Sequence, residues 1–459
     1  MKQRLSDNIV AISTPPGESG IGIVRISGPS VLEIADRIFL SKDGSGPSKF
    51  KTHTIHYGYI VDKEKRIDEV LLTVMRAPRT YTREDIVEMN CHGGIVVLRE
   101  VLDLVLDNGC RLAEPGEFTK RAFLSGRIDL SQAEAVLDII RAKTDAALKI
   151  STAQLKGALS SRINKIRKTL LDIISQIEAN IDFPEEEIKE ADLKDIGKRL
   201  EGVNNELRGI LYNSKHGRIF REGVHVVICG KPNAGKSSLL NALLKQERSI
   251  VTPVAGTTRD TIEEIIDIKG VPIRVVDTAG ILKPRDSVER KAVQRSKKYI
   301  DLADLIILIF DGSKGLSRED RFLMDKVKKR QVIAVVNKID LKQKIEKKKI
   351  LKRFKHVVDI SAKKSKNINL LEEAMLNLVY GGSVSSSESV LVSNLRHITV
   401  IKEAQRFIMH ATSSLNNRLS LEFISQDIKE AVSCLDDIVG KRFSEDLLNK
   451  IFSQFCIGK

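Results

Sequence analysis

Hydrophobic and polar positions change rhythm several times along this chain. Through residues 1–120, short β-rich runs (NIVAIS, GIGIVRIS, HTIHYGYI, EVLLTVMR, DIVEMNCHGG) alternate with helical pieces (VLEIADRIF, VVLREVLDLVLDNG), which predicts a compact N-terminal α+β domain. SKDGSGPSK (41–49) is a loop within it. Near Ser131 the period becomes helical, with Ser131 and Glu134 placed as a capping box, and apolar residues recur every three or four positions for many turns. Pro184 followed by three acids opens a further helix that is expected to end near Ser214. From Gly223 to about Tyr380 strands and helices alternate, the pattern of a doubly wound parallel sheet. GGSVSSSES (381–389) has linker composition, and the chain from Leu395 is helical again, with breaks near Ser413–Asn417 and Gly440–Phe443. Neither helical block can bury its apolar stripe alone, so the two are expected to pack together with the α/β domain inserted between them. The expected domains are residues 1–120, 121–220, 221–382 and 383–459.

A chain of 459 residues exceeds one hydrophobic core, in keeping with that division. Its formal net charge of +15 favours a polyanionic partner such as RNA, although runs such as KIEKKKILKRFK (344–355) also suit a solvated face. Five cysteines without a C-x-x-C pair exclude a zinc ribbon or a disulfide framework and fit a reducing cytosol. The N-terminus has no apolar signal core, and LIILIF (305–310) is strand-length, so a cytoplasmic protein without membrane spans is expected.

GKPNAGKS (230–237) supplies the chemistry. It matches G-x-x-x-x-G-K-[ST] between an apolar strand run and a helix-forming run, the context in which backbone N–H groups and a helix N-terminus gather around phosphates. Asn233, Ala234, Gly235, Lys236, Ser237 and Ser238 are the expected nucleotide contacts, with Lys236 reaching the β/γ-phosphates and Ser237 a Mg²⁺ ion. Four motifs follow in order. TPVAGTTRD (252–260) offers switch residues Thr252, Gly256, Thr257 and Thr258, the last a Mg²⁺ ligand. DTAG (277–280) offers Asp277, Thr278, Ala279 and Gly280 at a strand end, Asp277 holding the metal through water. NKID gives Asn337, Lys338 and Asp340; the Asp340 carboxylate can accept from the guanine N1–H and amine, a donor pair that adenine lacks. SAK adds Ser361, Ala362 and Lys363 at the guanine oxygen. Ile281 follows DTAG where many GTPases carry a water-orienting glutamine, leaving Asp286 and Glu289 as candidates. Asn233 and the backbone of residues 252–256 can enclose a monovalent cation that neutralises charge where an arginine finger otherwise acts.

These motifs, with TPPGESGIGIVRISG (14–28), DIVEMNCHGG (85–94), PGEFTKRAFLSGRIDLSQAEA (115–135) and the terminal FCIGK (455–459), give a sequence that resembles the MnmE (TrmE) family of tRNA-modifying GTPases over essentially its full length. The resemblance implies an inserted Ras-like α/β P-loop GTPase domain within a discontinuous helical domain. It implies K⁺ on Asn233, Thr252, Val254 and Thr257, and Mg²⁺ on Ser237 and Thr258. It also implies G domains that dimerise in the GTP state, and Glu289 as the water-orienting acid alongside Lys236. For the N-terminal domain it implies dimerisation and a 5-formyltetrahydrofolate-type one-carbon donor on Arg25, Glu88, Arg127 and Lys459; Arg127 stands where some relatives have lysine. The implied partners are tRNA and the FAD-carrying flavoprotein MnmG (GidA), in an α2β2 assembly that modifies C5 of the wobble uridine. Cys456 is implied to be a thiol near the active centre, and packing in a C-terminal helix is the alternative. A rival function is an RNA-binding or ribosome-assembly GTPase switch without modification chemistry.

Overall fold

The computed structural model describes residues 7–182, 190–246, 263–277, 300–380 and 392–459. The chain forms two compact units: residues 1–137, 154–175 and 428–459 in the first, residues 138–153 and 176–427 in the second. The boundaries fall inside the helices Leu130–Arg141, Asp145–Leu155, Ala158–Asp182 and Leu421–Val439.

The first unit is built on a seven-stranded sheet. Its strands are β1 (Ile9–Ile12), β2 (Ser19–Ser27), β3 (Phe39–Ser41), β4 (Thr54–Asp62), β5 (Lys65–Met75), β6 (Ile86–Gly93) and β7 (Arg111–Leu112), in the order β3-β4-β5-β6-β2-β1-β7. All pairs are antiparallel except β1 with β7. Strand β5 shows why one face is covered: Val70, Leu72 and Val74 are buried while Leu71 between them is exposed, the alternation of a half-buried strand. Helices Val31–Ile38 and Ile95–Asp107 lay Ile34, Ile38, Leu98, Val101 and Val105 on that covered face. His56 lies in β4, and His53 stands before it with φ 60° in a turn.

Arg121, on helix Glu117–Leu124, is fully buried. Its guanidinium donates to Asp7 Oδ1 (2.6 Å), Glu84 Oε1 (3.0 Å) and Glu117 Oε1 (3.0 Å), and Arg111 Nη2 reaches the same Glu117 oxygen at 2.5 Å. A buried cation ringed by carboxylates ties the start of the chain to the end of this domain.

The long helical run is three helices, Leu130–Arg141, Asp145–Leu155 and Ala158–Asp182. Its start corrects the reading of Ser131 with Glu134 as a capping box. Asp129 is the cap: Asp129 Oδ1 accepts from Gln132 N, and Asp129 N donates to Gln132 Oε1, both at 2.9 Å. Ser131 instead donates its hydroxyl to that same Asp129 oxygen, at 2.7 Å, and shares a hydrogen bond of 3.0 Å with the Ser160 hydroxyl. The helix expected to end near Ser214 runs from Glu190 to Glu222, stopped by Gly223 with φ 79°. The Pro184 start lies outside the described residues.

The two helical blocks meet as expected. Gln405, on helix Leu395–Asn416, donates to Asn204 on Glu190–Glu222 at 2.9 Å, and Arg167 pairs with Asp436. The final breaks fall where the sequence placed them, between helices Leu395–Asn416, Leu421–Val439 and Glu445–Phe452.

The second unit contains a six-stranded sheet: β8 (Val224–Cys229), β9 (Glu263–Ile268), β10 (Val271–Asp277), β11 (Leu305–Asp311), β12 (Val332–Asn337) and β13 (His356–Asp359), in the order β13-β12-β11-β8-β10-β9. Only the β9–β10 pair is antiparallel. Strands β11 and β12 are buried at every position, as parallel strands covered on both faces must be. The loops leaving the carboxyl ends of β8, β11, β12 and β13 therefore share one edge, where ligands of such sheets bind.

Replacing Arg121 with Met removes the ion-pair partner of Glu84 and leaves Asp7 and Glu117 to Arg111 alone. A loss of about 3–5 kcal/mol is expected, read as a lowered urea midpoint for loss of hydrogen-exchange protection in β1. The same cluster makes this unit acid-sensitive. Burial pushes the Glu117 carboxyl up, but Arg111, the Glu114 N–H and Arg121 outweigh it and hold it below the ordinary value of 4.5. Its contribution is therefore complete above that value and lost as pH falls through the depressed one.

Candidate functional site

Strand β8 delivers the chain into the loop Gly230–Ser237, and helix Lys236–Gln246 leaves it. Two backbone positions show how tightly this loop is drawn. Asn233 has φ 62°, a conformation asparagine tolerates better than most residues. Gly235 has φ 101°, and a Cβ there would collide with the amide nitrogen of Asn337, so only glycine fits. Lys236 Nζ donates to the loop's own carbonyls at Gly230 (3.1 Å) and Lys231 (3.2 Å), lying across the cradle. Ser237 and Ser238 form the first turn of the helix.

Asn337, buried at the end of β12, holds the neighbouring loops together. Its Nδ2 donates to Ala234 O in the phosphate loop (2.9 Å), and its Oδ1 accepts from Ala362 N in the SAK loop (3.0 Å). Lys338, at φ 66°, donates from Nζ to Asn233 O (2.8 Å) and to Asp311 Oδ2 (2.7 Å). Asp340 is exposed, and its Oδ1 accepts from Ser361 Oγ at 2.6 Å. That hydroxyl, with weaker help from Lys364 and Lys363, keeps the Asp340 carboxyl below the usual carboxylate range. The arrangement presents an ionised carboxylate, a lysine stem and a backbone loop at one end of a phosphate cradle. A base with two adjacent N–H donors and a carbonyl matches it.

Asp311 and Asp320 are site residues that the sequence reading did not single out. Asp311 ends β11 in register with Asn337. Burial pushes its carboxyl up, but the Lys338 ammonium and the Ser313 hydrogen bonds prevail and hold it low, so it anchors Lys338 as an anion. Asp320, also buried, pairs with Lys231 of the phosphate loop at 2.9 Å and completes a capping box with Ser317. The signal was present in IFDGSKGLSRED: an acid closing an apolar run, then S-x-x-D.

Several expected contacts fall elsewhere. Thr252, Val254, Gly256, Thr257, Thr258, Thr278, Ala279, Gly280, Asp286 and Glu289 lie outside the described residues. Asp277 ends β10 opposite Ile228, with its side chain outside them as well. Among the described residues no group of three or more His, Cys, Asp or Glu side chains could hold a metal ion.

The first unit gathers its own expected residues. Arg25 and Glu88 are register partners on β2 and β6, joined at 2.6 Å. Arg25 Nη1 also donates to Gly458 O (3.3 Å), as does Ser13 Oγ (3.3 Å), and Phe118 N donates to Lys459 O (3.1 Å). The C-terminal tail is thereby seated beside the ion pair. Gly458 has φ 92°, and a Cβ on it would stand 2.6 Å from Ile12 O, so the seat accepts only glycine. The Arg127 guanidinium lies over the Tyr81 ring at 4.8 Å, and Tyr81 shares a hydrogen bond of 3.0 Å with Thr119. Burial raises the Tyr81 phenol, while Thr119, Arg127 and Arg25 oppose that rise. Tyr81 is thus the centre of a cluster that the sequence reading left out. Cys456 is exposed, with only its backbone carbonyl engaged by Gly116 N (3.4 Å), so packing inside a helix does not describe it. Burial pushes the thiols of Cys91 and Cys110 up to about 12, which makes them inert.

A parallel sheet with a phosphate loop after its first strand and NKID and SAK loops at adjacent strand ends defines a P-loop GTPase. The rest of the chain narrows this. A family model described as GTP-binding protein TrmE N-terminus matches residues 8–127, and one described as MnmE helical domain matches residues 130–456. The proteins named tRNA modification GTPase MnmE from Bacillus subtilis and Alkaliphilus oremlandii are 46% and 45% identical, each over 99% of this chain and 100% of its own length. The protein of that name from Clostridioides difficile is 44% identical over the same shares. The chain belongs to the MnmE family.

Asp340→Asn should weaken GTP binding about 10- to 100-fold, the cost of losing one bidentate base contact. It should favour xanthosine triphosphate, whose added carbonyl accepts from the new amide. Displacement of a fluorescent GDP analogue by each triphosphate measures both; unchanged GTP affinity would remove Asp340 from the base site.

Proposed function

We propose that this chain hydrolyses GTP in a K⁺-dependent cycle of G-domain association. With MnmG it uses that cycle to add an aminomethyl or carboxymethylaminomethyl group to C5 of the wobble uridine of certain tRNAs, in the cytoplasm. The Asn233–Ser238 cradle orients the triphosphate, and Lys236 leaves its loop carbonyls to meet the β/γ-phosphates. Asn337, Lys338, Asp340 and the loop Ser361–Lys363 select guanine. Ser237 and Thr258 are the residues that would hold Mg²⁺. Asn233, Thr252, Val254 and Thr257 would hold K⁺. When bound, these ions offset the charge that develops on the transferring phosphoryl group. Glu289 orients the attacking water. The chain forms a homodimer through its N-terminal domain and an α2β2 assembly with MnmG, the partner that carries FAD.

The observation that carries the modification reading is the tail. A guanine-nucleotide site serves a simple RNA-binding switch equally well, but such a switch has no use for a chain terminus seated on the N-terminal sheet. Arg25, Glu88, Arg127 and Lys459 offer three cations and a carboxylate, and Tyr81 beside Arg127 adds an aromatic ring, a set suited to a planar, carboxylate-bearing folate. Cys456 presents an exposed thiol next to them.

Deleting Cys456–Lys459, or changing Gly458 to Val, should abolish the modified nucleoside in tRNA while GTP turnover stays within about twofold of the parent. Mass spectrometry of tRNA hydrolysates and phosphate release provide the two readings. Modified uridine at parental levels in both variants would favour the simple switch.

A further inference from the structure

A lysine-rich run lies along one edge of the α/β sheet, most of it outside the nucleotide site. Residues 342–366 hold eleven lysines and arginines against two acids. Those acids are already neutralised: Glu346 by Lys349 and Asp359 by Lys347, while Arg353 serves Asp325. Lys348, Lys352, Lys355 and Lys366 are exposed and have no carboxylate partner among the described residues, and Lys363 and Lys364 are exposed beside Asp340. Their placement follows the topology. Helix Lys347–Leu351 carries Lys348, and Lys352 and Lys355 lead into the amino end of β13, the edge strand. Lys363, Lys364 and Lys366 lie past its carboxyl end, on a loop pinned by paired Ser361–Lys366 backbone hydrogen bonds of 3.1 and 3.0 Å. The surplus charge therefore lines the whole length of the edge and ends on the loop that holds Asp340 through Ser361.

We propose that this edge is a docking surface for the phosphate backbone of RNA. It rests on the RNA-directed function proposed above and says where on the chain the polyanion is held. A solvated lysine face is ordinarily laced with acids; here the acids are spent and the remaining cations stand in a row, which suits a partner with regularly spaced charge. A lipid surface fits less well. The helix is one turn long and Leu351 is its only exposed large apolar side chain, too little to enter a bilayer interface. RNA lying here would touch the guanine loop, which brings the polyanion and the nucleotide to opposite sides of one short segment.

The test is the full-length triple variant Lys348→Glu, Lys352→Glu and Lys355→Glu, none of which touches the nucleotide site. Binding of a fluorescent tRNA-sized hairpin is followed by anisotropy between 50 and 200 mM KCl. The expected result is an affinity loss of at least about tenfold, with the slope of log K against log salt shallower by about 2–3, as the loss of three phosphate contacts requires. GTP turnover without RNA should be unchanged, which shows that the variant is folded. Unchanged affinity and slope would make the row a solvated face and overturn the proposal. Stronger binding of the parent to phosphatidylglycerol vesicles, lost in the variant, would assign the surface to membranes and overturn it too. A parent protein that binds no RNA would defeat the RNA-directed function itself, which separates that failure from failure of the surface.

Discussion

One buried carboxamide organises the nucleotide site. Asn337 donates to the phosphate loop and accepts from the SAK loop, so these two elements are fixed relative to each other by the protein itself. The collision that any Cβ at Gly235 would make with this amide shows how close that joint is. Lys338 adds a second tie from Asn233 to Asp311. A cradle whose shape is set in advance needs little reorganisation on binding, the condition under which fixed dipoles and charges are most effective.

The first unit solves a different problem with similar means. Its sheet has to hold the residues after the buried Phe455, where the one large apolar side chain, Ile457, is exposed. It does so with Arg25, Ser13 and the Phe118 N–H on main-chain carbonyls, and with a glycine where no side chain fits. The adjacent Arg121 cluster gathers Asp7, Glu84 and Glu117 around one buried guanidinium. Removing Arg121 leaves Asp7 and Glu117 on Arg111 alone and takes the ion-pair partner from Glu84, whereas the tail can be altered at Gly458 without entering that cluster.

Much of the architecture was legible because periodicity reports burial directly. Five of the seven N-terminal strands alternate or run apolar as their faces require, while the short β3 and β7 carried no such signal, and the phosphate loop sat between a strand and a helix as its motif demands. Boundaries read less well. Ser131 matched a capping box by pattern, but Asp129 with Gln132 offered the same reciprocal geometry two residues earlier and took the position. Asp311 and Tyr81 were invisible for another reason: each matters through partners far away in sequence, Lys338 for one and Arg127 with Thr119 for the other. Arg25 looked like a bare strand arginine until the β2–β6 register set Glu88 across from it. The family resemblance had named Arg25, Glu88 and Arg127 as one set, but not Asp311 or Tyr81.

The central claim is that hydrolysis depends on a monovalent cation seated at Asn233 and on water held by Glu289. GTP turnover by the intact chain in K⁺ and in Na⁺ at equal ionic strength, with and without Glu289→Ala, tests it most directly. Strong stimulation by K⁺ alone, with kcat about 100-fold lower in the variant, is the expected result. Equal rates in the two salts, with the variant as active as its parent, would contradict the account and leave a GTPase that works by other residues.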